Sequence, residues 1–207
     1  MSLLTKLFHY VLLASSKYNI DESHGLSHSM DVLNFAHNIY INELPDCPFL
    51  KEQEKVIYTS AILHDMCDKK YVNEDEGIRQ IEDFLQESMD PAEIDMTKQI
   101  ISTMSYSTVK KKGYPLLGTY QYAYHIVREA DLLSAYNFDR CMIYHMQKNQ
   151  KCTLEESFQN ANELFENRVL KHIDDQLIGT KYGIKQSLIL HNRAKQRIRT
   201  WKSIIRN

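Results

Sequence analysis

The chain has 207 residues, 43% of them hydrophobic and 25% charged, with a formal net charge of −2 at pH 7. These values describe one globular domain long enough to bury a sizeable core. Six glycines and four prolines leave little punctuation for a many-turned β fold, and so small a net charge makes no case for a nucleic-acid or membrane surface over the whole chain.

The N-terminal string LTKLFHYVLLASS is apolar but interrupted by His9 and Tyr10, and it lacks a small-residue cleavage site. It reads as a packed amphipathic helix rather than a secretion signal. No apolar stretch reaches the ~18 residues of a membrane span. After Gly25, the segment 26–41 repeats apolar residues at Val32, Phe35, Ala36 and Ile39, a helical stripe. Pro45 and Pro48 break the chain. A second helix is expected over 52–65, with Val56, Ile57, Ala61 and Ile62 inward, and a third over 75–87, with Ile78, Ile81, Phe84 and Leu85. Pro91 suits the first turn of a fourth, ending near Met104.

Residues 105–118 read as a loop, followed by one long helix over 119–146. Thr153 with Glu156 three residues on forms a capping box that starts another helix. The last helix is expected from about Ile184, after the breaker GTKYG. No alternating strand pattern occurs, so the expected fold is all-α: one compact multi-helix bundle over 1–207, with a motif-bearing core at 21–144 and a helical extension at 150–207. Residues 176–207 hold eight Lys/Arg and no acid, which leaves the first 175 with 17 Lys/Arg against 27 acids, a net of −10. A basic face docked on an acidic body is the expectation, with an anionic partner as the alternative. The four cysteines (Cys47, Cys67, Cys141, Cys152) form no CxxC pair, as in a cytoplasmic protein with reduced thiols.

Chemistry concentrates in four residues. His28 shares a helical face with Val32, Phe35 and Ile39, and His24 lies one turn earlier. His64 and Asp65 close the second helix behind the apolar Ala61-Ile62-Leu63, where an ionised carboxylate needs a compensating charge. Asp131 lies in a stripe with Tyr124, Val127, Ala135 and Phe138, within reach of Arg128 three residues back. A zinc-protease reading of His24-x-x-x-His28 fails, because Gly25 stands where that motif needs Glu. Together His28, His64, Asp65 and Asp131 offer an N2O2 set for one divalent cation with two positions left for water. That set suits Mn2+ best, then Mg2+, Fe2+ or Co2+, with Ni2+ and Zn2+ still open; a closed zinc site would favour cysteine.

The ordered pattern H-x35-HD-x65-D, with LHD closing one helix and EADLL on a later one, resembles that of the HD-domain metal-dependent phosphohydrolases, with His28, His64, Asp65 and Asp131 at the matching positions. The strings DESHGLSHSMDVLNFA, IISTMSYS and IVREADLLSAY are similar to a branch of small bacterial enzymes likened to nucleotide pyrophosphohydrolases, over roughly Asp21 to Tyr144. Relatives in that branch often read DADRLDA where this chain reads EADLLSA, with Glu129, Leu132 and Ser134 as departures.

The resemblance implies a small phosphorylated substrate, a nucleotide, and pyrophosphate cleavage of a (deoxy)nucleoside triphosphate as the first choice. A 5′-nucleotidase-type phosphomonoesterase and a non-catalytic nucleotide or metal sensor are the alternatives. It also implies a catalytic role for His64 and Asp65, joined by Asp68, one turn past His64, which would orient or deprotonate the attacking water. His24, Lys69, Lys70 and Lys112 are the candidate phosphate contacts, with Arg79 and Arg128 weaker ones, and Cys67 beside the site reads as an oxidation liability. The basic C-terminal helix raises nucleic-acid processing as a third, disfavoured reading, and the oligomeric state stays open.

Overall fold

The computed structural model describes residues 1–206. Among them there is no strand; the helices are α1 (Leu3–Tyr18), α2 (Leu26–Glu43), α3 (Glu54–Leu63), α4 (Glu74–Leu85), α5 (Pro91–Thr103), α6 (Tyr106–Lys112), α7 (Gln121–Ser134), α8 (Phe138–Lys148), α9 (Leu154–Asn167) and α10 (Lys181–Ile205). The protein is an all-α bundle. None of its described helices is long and apolar enough to cross a membrane.

Local chemistry sets the boundaries. Ser2 caps α1 through Thr5 N, Asn73 caps α4 through Glu76 N, and Asp90, Pro91 and Glu93 build a capping box on α5. The Thr153–Glu156 capping box on α9 forms as its sequence predicts. Helix α3 is preceded by a 3-10 turn, Pro48–Gln53, and stops at Leu63, so His64 and Asp65 lie just past its last turn.

Three expectations are corrected. The 105–118 segment is not all loop: Ser105 Oγ accepts from Thr108 N at 3.2 Å and starts α6, which ends at Gly113 with φ +77°. The long helix over 119–146 is two helices, because Asn137 Oδ1 accepts from Arg140 N at 3.2 Å and caps a new start. The last helix begins at Lys181, where Thr180 Oγ1 receives Gly183 N at 3.1 Å.

The main core lies where α2, α3 and α7 pack on one another, with α1 and α5 against α3. Val32, Ala36, Ile39, Ile57, Ala61, Ile62, Ile126, Val127 and Ala130 are its fully buried centre. A second, smaller cluster of Tyr136, Phe138, Met142, Phe158, Ala161, Phe165, Ala194 and Ile198 joins α8, α9 and the later turns of α10.

Two buried glutamates hold the start of α10. Glu129 on α7 accepts from Gly179 N (2.9 Å), Thr180 N (3.1 Å) and Thr180 Oγ1 (2.7 Å). Glu43, at the end of α2, accepts from Lys181 N (2.8 Å) and from Tyr122 Oη (2.6 Å). Carboxylates at a helix N-terminus satisfy its free N–H groups and its dipole together. Farther along, Arg197 grips Asp139 with two nitrogens and Trp201 Nε1 donates to the same carboxylate at 2.7 Å. At these points the basic helix docks on acids of the body, while Arg193, Lys195, Arg199 and Lys202 stay exposed.

Gly77, on α4, shows how tightly the segment after Asp65 is held. A Cβ there would stand 2.9 Å from both Cα and Cβ of Cys67. Gly→Ala inside a helix ordinarily stabilises by up to about 1 kcal/mol, but the clash forces a backbone shift with an overpacking cost of about 1–3 kcal/mol. The clash wins. Gly77→Ala is expected to lower stability in chemical denaturation; a rise would show that the segment yields freely.

Candidate metal centre

Three places in the chain converge. His28 is in the first turn of α2 and 2% exposed, His64 and Asp65 follow α3, and Asp131 is one turn from the end of α7. His28 Nε2 lies 3.1 Å from His64 Nε2, 3.2 Å from Asp65 Oδ2 and 3.5 Å from Asp131 Oδ1. His64 Nε2 is 3.2 Å from Asp65 Oδ2 and 3.8 Å from Asp131 Oδ1. A cation with ligand bonds of about 2.1 Å places neighbouring donors about 3.0 Å apart on an octahedron and about 3.4 Å apart on a tetrahedron. The separations among His28, His64 and Asp65 (3.1, 3.2 and 3.2 Å) fall in that range, while those from the two imidazoles to Asp131 (3.5 and 3.8 Å) lie just beyond it. The group His28, His64 and Asp65 can therefore hold a metal ion, and Asp131 stands beside it as a fourth donor.

Hydrogen bonds aim the ligands. His64 Nδ1–H donates to Ala61 O at 2.9 Å, which leaves the Nε2 lone pair facing the cluster. Arg140 Nη1 contacts His28 Nδ1 and donates to Ser23 O at 3.1 Å, and Ser134 Oγ is 3.4 Å from the same Nδ1. Arg128 does not pair with Asp131: it is buried under the Tyr114 ring and donates to Leu177 O at 2.9 Å. Asp131 is thus free for the centre.

Electrostatics agree. Burial opposes protonation of His64, yet Asp65, then Asp131, raise it to about 9. Burial likewise opposes ionisation of Asp65 and Asp131, but charge and hydrogen bonding from His64 and His28 hold both carboxyls below their usual range. Without an ion the cluster is compensated by a protonated imidazole. A divalent cation fills the same electrostatic need.

The centre lies in the wall of a cavity of 680 Å³. His24, Asp68, Lys69 and Lys70 line it as the sequence predicts. His24 is held by an Asp21–Tyr71 bond (2.6 Å), with Tyr71 Oη 3.0 Å and Ser23 Oγ 2.7 Å from its Nδ1. Asp68 accepts from Lys70 N at 2.9 Å and pairs with Lys70 Nζ at 3.2 Å; Lys70 Nζ is also 3.4 Å from His24 Nε2. Lys112 falls elsewhere. It ends α6, is exposed, and does not line the cavity. Cys67 is also corrected: burial, then nearby Glu74 and Asp65, push its thiol to about 12, so the thiolate that oxidation requires is scarce.

The cavity has lining that sequence reasoning missed. Arg140 and Tyr144 face it from α8, four residues apart, and Arg168 faces it from the end of α9, with its guanidinium 4.2 Å from the Tyr106 ring centroid. The spacing of Arg140 and Tyr144 was visible, but their direction depends on the break between α7 and α8.

His172 is fully buried beside the Tyr106 and Tyr136 rings. Burial, then Arg168, depress its pKa from 6.5 to about 4. The unfolded chain binds this proton more readily, so the stability associated with neutral His172 is complete above about pH 6.5 and is lost as pH falls toward 4. His172→Phe is expected to reduce the stability lost between pH 7 and 4.5 by about 2 kcal/mol, as read by denaturant midpoints; equal losses in both proteins would refute a buried neutral imidazole.

Compared with profiles of known protein families, with curated proteins and with solved structures, the chain has no match.

Proposed function

We propose that the protein is a divalent-metal-dependent phosphohydrolase of the HD type, cleaving pyrophosphate from (deoxy)nucleoside triphosphates. The observation that carries this reading is the convergence of His28, His64, Asp65 and Asp131 in the wall of a cavity that also presents Lys69, Lys70, Arg140 and Arg168. A cation bound there supplies a Lewis acid for phosphoryl oxygens. Mn2+ fits a mixed imidazole and carboxylate set.

The chain's own groups supply the rest. Asp68, fixed by Lys70 on the cavity wall, is the carboxylate placed to take a proton from an attacking water. Lys70 Nζ lies 3.4 Å from His24 Nε2, which puts an ammonium beside an imidazole at this corner for phosphate. Arg140 meets His28 Nδ1 and Ser23 O, and ligation of His28 would release the first of these contacts. A histidine that ligates through Nε2 carries its proton on Nδ1, and a guanidinium cannot donate to an N–H. Ser134 Oγ can accept that proton's hydrogen bond, which frees Arg140 for an anion in the cavity.

The test is product identification with a panel of nucleotides and each of Mn2+, Mg2+, Co2+, Fe2+, Ni2+ and Zn2+. Pyrophosphate with nucleoside monophosphate is the expected pair. Orthophosphate from 5′-monophosphates would move the assignment to a phosphomonoesterase. Nucleotide binding without phosphate release under any metal would sink the hydrolase reading.

A further inference from the structure

Helix α9 presents two different faces. Phe158, Ala161 and Phe165 point into the second cluster, while Asn160, Glu163, Leu164 and Asn167, at spacings of three, four and seven from Asn160, line the cavity from outside. An outward polar stripe on a helix is usually only solvated. This one borders the cavity that holds the candidate metal centre. Asn162, on the inner side, is tied to Glu166 at 2.9 Å and Glu163 accepts from Gln159 at 2.9 Å; among the described residues, the amides of Asn160 and Asn167 have no hydrogen-bond partner.

We infer that this stripe binds the uncharged organic part of the substrate, a nucleoside rather than a further phosphate; the inference rests on the phosphohydrolase reading of the same cavity. Charge decides the direction. Glu163 repels phosphate from the middle of the stripe, whereas Arg168 follows Asn167 at the helix end and shares the cavity wall with Arg140. The phosphates therefore belong at the Arg140–Arg168 end. From Asn167 to Asn160 the helix rises about 10 Å, a span on the order of a nucleoside's length. Along it stand an amide, a partly exposed leucine, a carboxylate and a second amide. An amide pairs with the donor and acceptor edge of a base, leucine packs on its face, and a carboxylate accepts from hydroxyl or amino groups.

The experiment is calorimetry in Mn2+ with two probes that differ only by the nucleoside: α,β-methylene nucleoside diphosphates over a panel of bases, and methylenediphosphonate. The wild-type protein is expected to bind at least one of the nucleotides more tightly than methylenediphosphonate. Asn160→Ala and Asn167→Ala, both at exposed positions, are each expected to weaken that nucleotide roughly tenfold, as for one lost hydrogen bond, and to leave methylenediphosphonate unchanged. Equal wild-type affinity for both probes, or variants that weaken both alike or neither, would overturn the role of α9 while leaving the hydrolase reading to the product assay. Selective nucleotide binding without phosphate release would overturn the hydrolase reading and keep the stripe. Failure of the wild-type protein to bind either probe would overturn both.

Discussion

Asp65→Ala is expected to remove phosphate release to the limit of detection and to weaken Mn2+ binding by on the order of a hundredfold or more, since even residues behind a ligand contribute 10–100-fold. The carboxylate lies 3.2 Å from both His28 Nε2 and His64 Nε2, so no other described side chain replaces it without moving a helix. The fold is expected to persist. Asp65 lies past the end of α3, which is held by Val56, Ile57, Ala61, Ile62 and Leu63, all buried. With Asp65 gone, His64 loses the main charge that favours its protonation, so a neutral imidazole remains rather than a stranded buried charge. Circular dichroism should match the wild type while calorimetric Mn2+ binding collapses. Retained activity in this variant would defeat the metal assignment.

Glu129→Ala is expected to produce the largest stability loss of any single change at a polar residue. It strands the N–H groups of Gly179 and Thr180 and the Thr180 hydroxyl, all directed at one carboxylate that is 3% exposed. Each buried unpaired donor costs about 1–3 kcal/mol, so the three together set a loss of at least about 3 kcal/mol, or a fall in Tm of roughly 10 °C for a chain of this size. Glu129→Gln keeps an acceptor and the shape and should lose less than half as much. Thermal melts of the two variants check this. Equal loss in both would mean that charge at the start of α10, rather than the acceptor geometry, carries the effect.

The candidate metal centre was legible because its four residues carry their own local logic. A histidine on an apolar helical face, an acid behind Ala61-Ile62-Leu63 and an acid in an apolar stripe each need a polar partner, and one ion could serve all of them. Propensity and pattern also gave α2, α4, α5 and α9. What stayed hidden depended on tertiary direction. The turn at 135–137 swings Arg140 and Tyr144 toward His24, and only the capping bond from Arg140 N to Asn137 marks it. Lys112 suits a phosphate contact only if 105–118 is a loop; as the last residue of α6 it ends outside the cavity. Glu129 looks like a departure beside Asp131, yet residues two apart on a helix point about 200° apart, nearly opposite. One therefore reaches the centre and the other the start of α10.

The division into two apolar clusters has a kinetic consequence. The four candidate ligands lie on or just past helices packed in the main core, whereas α9 packs in the second, and Leu190 on α10 touches both. Units with separate cores open at separate free energies. A molecule bridging the quartet and α9 would clamp the two units to each other, so its binding energy would appear as slowed amide exchange along α8 and α9, including the turns that do not line the cavity. In this architecture, occupancy of the cavity and the breathing of its outer wall are one equilibrium.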